Sequence, residues 1–239
     1  MNTLNIYAVG GDTVILSAGV PEAEIAADSA EIIKGDPFQA QAGFVLSTEI
    51  KIPRSACAGS FFSADCTLCF GKYLCERAGV ETGTFTVSAT GIGAVLRVEA
   101  QAQNKVSLSL AGKAQCLLGG AYPSVIFGGC EYFIAAHSAV GDAQSLMQQL
   151  GEDSSQECSA LLLLSGDAVE PYFFQKGDAL CGFSAGSAAL ALAFYESESA
   201  RDFFKATYRF PKGTREVEMK RFLSEAFDAR LCADVEKRG

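Results

Sequence analysis

Phe62-Ser63-Ala64-Asp65-Cys66 and Phe183-Ser184-Ala185-Gly186-Ser187 are two versions of one short stretch, set 121 residues apart in a chain of 239. An offset of half the chain suggests an internal duplication, and the flanking sequence supports it. Each copy is followed by a run that is small or apolar on nearly every side, Thr67-Leu68-Cys69-Phe70-Gly71-Lys72-Tyr73-Leu74-Cys75 and Ala188-Ala189-Leu190-Ala191-Leu192-Ala193-Phe194-Tyr195. A helix apolar all round is a buried helix. Alternating stretches come next, with the period of two of half-buried strands: 83–88, 93–98 and 105–110 in the first half, 205–210, 215–219 and 229–235 in the second. Upstream, residues 21–33 open with Pro21 and place Ala23, Ile25, Ala26, Ala30 and Ile33 among acids, the pattern of an amphipathic surface helix. Residues 142–150 are its counterpart. Each half therefore reads strand, surface helix, strands, buried helix, strands. The expected class is α+β with two pseudo-symmetric domains, 1–118 and 119–239, each a curved, mostly antiparallel sheet around a central buried helix. The boundary is placed where Gly112, Gly119, Gly120 and Pro123 cluster.

Composition narrows the function classes. Hydrophobic residues make up 49% and charged residues 20%, which excludes a disordered chain. The formal charge of −9 comes with no basic footprint, so nucleic acid is not an expected partner. No apolar run approaches the ~18 residues of a membrane span, and residues 1–5 carry no basic region ahead of an apolar one, so a cytoplasmic protein is expected. Nine cysteines, an odd number, read as free thiols in a reducing compartment. A lone histidine, His137, excludes a multi-histidine metal site.

The repeated stretch falls at the start of each buried helix. The first amides of a helix have no partner within it and the macrodipole is positive there, which favours an anion or a group that must lose a proton. Ser63 and Ser184 are placed as N-caps, and capping alone is the ordinary role of such a serine. A two-fold repeat, however, brings equivalent helix starts to a common interface, where the pair can act on one ligand.

With these motifs the chain resembles the diaminopimelate epimerase superfamily of cofactor-independent amino-acid racemases and epimerases. Ala8-Val9-Gly10-Gly11-Asp12 is similar to the opening glycine-asparagine-aspartate strand of that family. Ala58-Gly59-Ser60-Phe61-Phe62-Ser63 resembles the approach to its first catalytic cysteine, particularly in the histidine-racemase-like branch. Gln175-Lys176-Gly177 and then residues 184–189 resemble the approach to the second, and 212–218 with 230–236 the closing hairpin. The resemblance implies a ligand cleft between the halves and a two-base mechanism without pyridoxal phosphate or any other cofactor. One thiolate removes the Cα proton, and a thiol on the opposite face returns one. It also implies a small-molecule amino acid as partner, with a homodimer among the expected assemblies. The sites it carries over are Ser63 and Ser184 as the catalytic pair, and Gly11, Ala64, Asp65, Cys130, Gln175, Lys176, Ala185 and Gly186 around the substrate.

The chain departs from the family where the chemistry sits. Serine stands at both cysteine positions, and a hydroxyl is far less acidic than a thiol, a poor match to a base that must titrate near the working pH. An engineered Cys→Ser pair and a natural variant, active or catalytically silent but still amino-acid-binding, both fit this pattern. Gly11 and Asp65 stand where the family has asparagine, and Cys130 lies near another such position. Gln175-Lys176 replaces the glutamate-arginine pair that grips diaminopimelate, so a neutral or acidic amino acid is the expected substrate.

Two further motifs compete. Gly182-Phe183-Ser184-Ala185-Gly186 fits the G-x-S-x-G elbow of a serine hydrolase, but that chain order needs a histidine after the serine and none follows. Cys57, Cys66, Cys69 and Cys75 suggest a metal site. On a helix, however, Cys75 lies about 180° round from Cys66, so no metal is expected there.

Overall fold

The structure is a computed structural model and describes residues 3–33, 38, 40–48, 51–57, 61–176, 182–199, 203–222 and 225–238. The first half contains β1 (Thr3–Val9), β2 (Asp12–Ala18), α1 (Ile25–Ile33), β3 (Gln41–Ser47), β4 (Arg54–Cys57), α2 (Ala64–Ala78), β5 (Gly83–Ala89), β6 (Leu96–Ala100) and β7 (Lys105–Lys113). The second contains β8 (Gln115–Leu117), β9 (Ser124–Phe127), β10 (Cys130–Ala136), α3 (Ala143–Asp153), β11 (Cys158–Ser165), β12 (Ala168–Gln175), α4 (Ala185–Glu196), β13 (Phe204–Phe210), β14 (Gly213–Phe222) and β15 (Ala226–Arg238). The class is α+β, as the sequence pattern predicts.

The two halves follow one plan. In each, a hairpin leads through a surface helix to a strand that pairs in parallel, β2 with β3 and β10 with β11. A buried helix and an antiparallel set then follow. The amphipathic pattern at 21–33 becomes a short 3-10 turn at Glu22–Glu24 and then α1. The pattern at 142–150 becomes α3, capped by the Asp142 carboxylate, which accepts from the Ser145 amide at 3.0 Å. Expected strand 93–98 is shifted to Leu96–Ala100, after a turn at Gly91 (φ +77°) and an irregular stretch to Val95.

The sheet closes on itself. Strands run in order from β1 to β7, then β15, and β15 pairs back to β1 through Ile6↔Arg238 to Val9↔Val235. These eight strands surround α2. On the other side β15 pairs with β14, which leads through β13 to β8 around α4. β7 and β15 lie side by side from Lys113↔Ala226 to Lys105↔Asp234, and each runs on into the other half. β15 ends against β1, and β8, which follows β7 directly, pairs with β9. Strands on the two sides of residue 118 are thus interleaved.

Both central helices are buried as their composition requires. Residues 185–194 of α4 are all buried, and of 64–75 in α2 only Lys72 is not. Small residues let the strands close in: a Cβ on Gly71 would lie 2.2 Å from the Val98 side chain. One continuous core joins the closed barrel around α2 to the sheet around α4, while α1 and α3 cover smaller apolar clusters outside it. Among the described residues no helix is long and apolar enough to cross a membrane.

Candidate active site at the paired helix starts

The starts of α2 and α4 meet and cap each other. Ser63 and Ser184 are extended N-cap residues, and their hydroxyls accept from the amides of Cys66 at 3.1 Å and Ser187 at 3.2 Å. Across the interface the Ala64 amide donates to Ser187 Oγ at 3.0 Å, and the Gly186 amide donates to Asp65 Oδ2 at 3.0 Å. Ser187 Oγ in turn donates to the Phe62 carbonyl at 2.9 Å. A Cβ on Gly186 would stand 2.7 Å from Asp65 Oδ1 and 3.2 Å from the Ala64 Cβ, so glycine there allows the contact.

Both serine hydroxyls are hydrogen-bond donors within one network. Ser63 Oγ donates to Gln41 Oε1 at 2.8 Å, Gln41 Nε2 donates to Asp65 Oδ2 at 3.2 Å, and Ser184 Oγ donates to the same oxygen at 3.1 Å. Asp65 is fully buried. Its Oδ1 accepts from Arg215 Nε at 2.9 Å, also fully buried. Arg215 further donates to the Val9 carbonyl at 2.9 Å and to Asp12 Oδ2 at 3.0 Å. The positive start of α4 is therefore filled by a carboxylate of the chain itself, the group the helix end is built to attract. Asp12 is only part-buried, and burial together with the Asp65 carboxylate raises its pKa to about 6, against the opposing pull of Arg215 and Lys212.

The remaining expected site residues are placed as follows. Ala64 and Ala185 are the first residues of their helices. Gly11 sits with Gly10 in the two-residue turn between β1 and β2, both at positive φ as such a turn requires. A Cβ on Gly11 would lie 1.8 Å from the Lys212 carbonyl, so the position shapes two stacked turns and has no room for a longer side chain. Cys130 is buried opposite Cys158 in parallel register, with its sulfur 2.9 Å from that of Cys158. Gln175 ends β12. Lys176 Nζ donates to the Glu152 and Ser154 carbonyls at the C-terminal end of α3, where a cation is favoured. Residues 58–60 and Gly177, parts of the family-like motifs, lie outside the described residues.

Four polar residues complete the site beyond the expected set: Gln41, outside every motif, and Asp12, Ser187 and Arg215, which lie within motifs that assign them no role. Arg215 had a readable signal, since it alternates with Glu216 and so shares the inward face of Val217 and Met219. Gln41 had none, because its partners are 22 and 24 residues away.

The competing motifs fare differently. Ser184 has φ −105° and ψ 107°, not the strained conformation of a nucleophile elbow, and its hydroxyl bonds Asp65. His137 is bonded to Glu170 at 3.1 Å, with its side chain 57% exposed. Among the described residues no serine–histidine pair is formed. Burial pushes the Cys69 thiol well up, and the hydrogen bond with the neighbouring Cys57 thiol, then burial, do the same for Cys66, so neither is poised as a thiolate. Among the described residues no three His, Cys, Asp or Glu side chains group as a metal site would need.

Comparison of this architecture with solved structures gives matches over the whole chain. A hydroxyproline epimerase from Agrobacterium vitis with bound trans-4-hydroxy-L-proline superposes with TM-score 0.66 at 11% identity, covering 100% of this chain and 91% of the other. A probable proline racemase from Agrobacterium radiobacter K84 gives 0.65 at 12%, covering 100% and 92%. A phenazine biosynthesis protein of the PhzF family from Bacillus anthracis gives 0.66 at 12%, covering 100% and 97%. The chain shares the fold of these proteins. No family model matches the sequence, and no curated protein is similar to it in sequence. In this chain, charged and polar side chains of its own fill the meeting point of the helix starts.

Proposed function

We propose that this protein is a cofactor-independent amino-acid racemase or epimerase, inverting Cα by proton transfer at the paired helix starts, with Ser63 and Ser184 at the two acid–base positions. The observation that carries this reading is the reciprocal contact between the two starts, which presents two hydroxyls, two positive helix ends and one network to a single place. The fold it shares with a probable proline racemase and a hydroxyproline epimerase agrees with it.

The chain's own groups have definable parts in such a reaction. The helix ends stabilise negative charge as a Cα–H bond ionises next to a carboxylate. Gln41 and Asp65 hold the two hydroxyls in fixed orientation. A second reading, a catalytically silent amino-acid-binding homologue, is favoured by one specific observation: both hydroxyls are spent as donors, and the α4 start is already satisfied by Asp65. The test is deuterium incorporation at Cα across the twenty amino acids, for the native chain and for Ser63→Cys with Ser184→Cys. Exchange by either supports the isomerase. No exchange by either, with calorimetric binding retained, establishes the silent homologue.

A further inference from the structure

Beside the α4 start lies a cavity of about 340 Å3, within the size range of small-molecule sites. Its inner surface is aromatic: Phe183 and Phe210 are nearly fully buried with ring centroids 6.2 Å apart, Phe38 lies 5.5 Å from Phe183, and Tyr172 lines the same space. Its polar end is Asp12, whose side chain is 18% exposed. Asp12 Oδ2 accepts from Arg215, and Oδ1 accepts no bond among the described residues. Behind it stands Asp65, so one buried guanidinium serves two carboxylates and the triad carries a net charge of −1. Lys212, on the turn above, donates to the Phe38 carbonyl, and Glu170 at the rim holds His137 and Tyr172. Counting Lys212 and Glu170 as well leaves the charge at −1.

A part-buried, unbalanced negative charge at the end of an aromatic chamber is complementary to a cation carried on an apolar body, through ion pairing and ring-face attraction. We infer that this chamber binds a protonated primary amine with an aromatic or bulky apolar body, the ammonium on Asp12 and the body against Phe183 and Phe210. On the isomerase reading proposed above, the substrate class is then an aromatic amino acid, its carboxylate within the field of Lys212.

Calorimetric titration of the native protein with L- and D-phenylalanine, phenethylamine and 3-phenylpropionate tests this. The first three bind and 3-phenylpropionate does not. Asp12→Asn, which keeps an acceptor for Arg215, weakens phenethylamine by about 10- to 100-fold, the worth of one charged contact. In case that variant misfolds, the native protein supplies a second measure. Phenethylamine stays protonated, so its affinity falls about tenfold between pH 7 and pH 5 as Asp12, facing Asp65, Arg215 and Lys212, takes up its proton. Equal binding of 3-phenylpropionate, or an Asp12→Asn affinity equal to native, overturns the inference. Binding of phenethylamine without either phenylalanine overturns the substrate assignment. Failure of Cα exchange with binding intact refutes the isomerase reading and leaves the chamber standing.

Discussion

Truncating Asp65 is the most searching perturbation of the paired helix starts. Four donors converge on its carboxylate: the Gly186 amide, Ser184 Oγ, Gln41 Nε2 and Arg215 Nε. Asp65→Ala leaves the first three without that acceptor and leaves Arg215, fully buried, with Asp12 as its carboxylate partner beside the Val9 and Thr214 carbonyls. An orphaned buried polar group costs roughly 1–3 kcal/mol, and breaking a buried ion pair from one side roughly 3–5 kcal/mol, with the contributions not additive. The retained Asp12 contact keeps the total near the lower figure for the pair, about 3–4 kcal/mol. That is a large part of a typical domain stability of about 5–15 kcal/mol. With a urea dependence of about 2 kcal/mol per molar, the unfolding midpoint falls by roughly 1.5–2 M. Asp65→Leu combined with Arg215→Met removes both charges and should recover most of the loss, because a buried pair exchanged for apolar groups of similar size is often neutral. An Asp65→Ala midpoint within about 0.5 M of native would refute the reasoning. So would a double variant no more stable than the single one.

The remaining predictions concern neighbouring positions. Gly186→Ala places a methyl 2.7 Å from Asp65 Oδ1 and 3.0 Å from Leu231. Overpacking of about 1–3 kcal/mol outweighs the helix-propensity gain of about 1 kcal/mol, so the melting temperature falls by a few degrees; an unchanged or higher value counts against the close contact. Asp12 titrates at about 6 in the folded protein, above its ordinary value of 3.8, so the folded state binds the proton more tightly and stability declines as pH rises from about 4 to 6. In Asp12→Asn this decline is reduced by about 1–3 kcal/mol; superimposable pH profiles of urea midpoints for the two proteins contradict the assignment. Lys176→Ala removes two bonds to the end of α3 and lowers stability by about 0.3–1 kcal/mol without changing amino-acid affinity. A loss of affinity at unchanged stability would return Lys176 to the ligand site.

Local physics made the two central helices legible. Ser63 and Ser184 cap them, their all-round apolar composition requires burial, and the strands that wrap them alternate with period two. The same alternation, followed one step further, places Arg215 indoors, where a charge needs a partner. The partner itself is not legible: Asp65 is 150 positions away, and nothing in either neighbourhood encodes the other. Gln41 is hidden for the same reason. Its two site partners come from the start of α2, brought to it only when β3 packs beside that helix. The two-fold repeat correctly places the helix starts together, yet it suggests an open cleft between them. The residues that fill the meeting point break the repeat, with Asp65 in one copy matched by Gly186 in the other.

The interleaved strands also dictate an order of events during synthesis. The first barrel closes only when 235–238 pair with 6–9, almost the full length of the chain apart. β7, although made early, waits for β15 as its outer neighbour. Pairings of such sequence separation are slow to form, and they leave strand edges uncovered meanwhile. A nascent chain stopped after the first half would therefore expose β1 and β7 as unpaired edges, so the protein emerging from the ribosome gains its protection against aggregation only with β15.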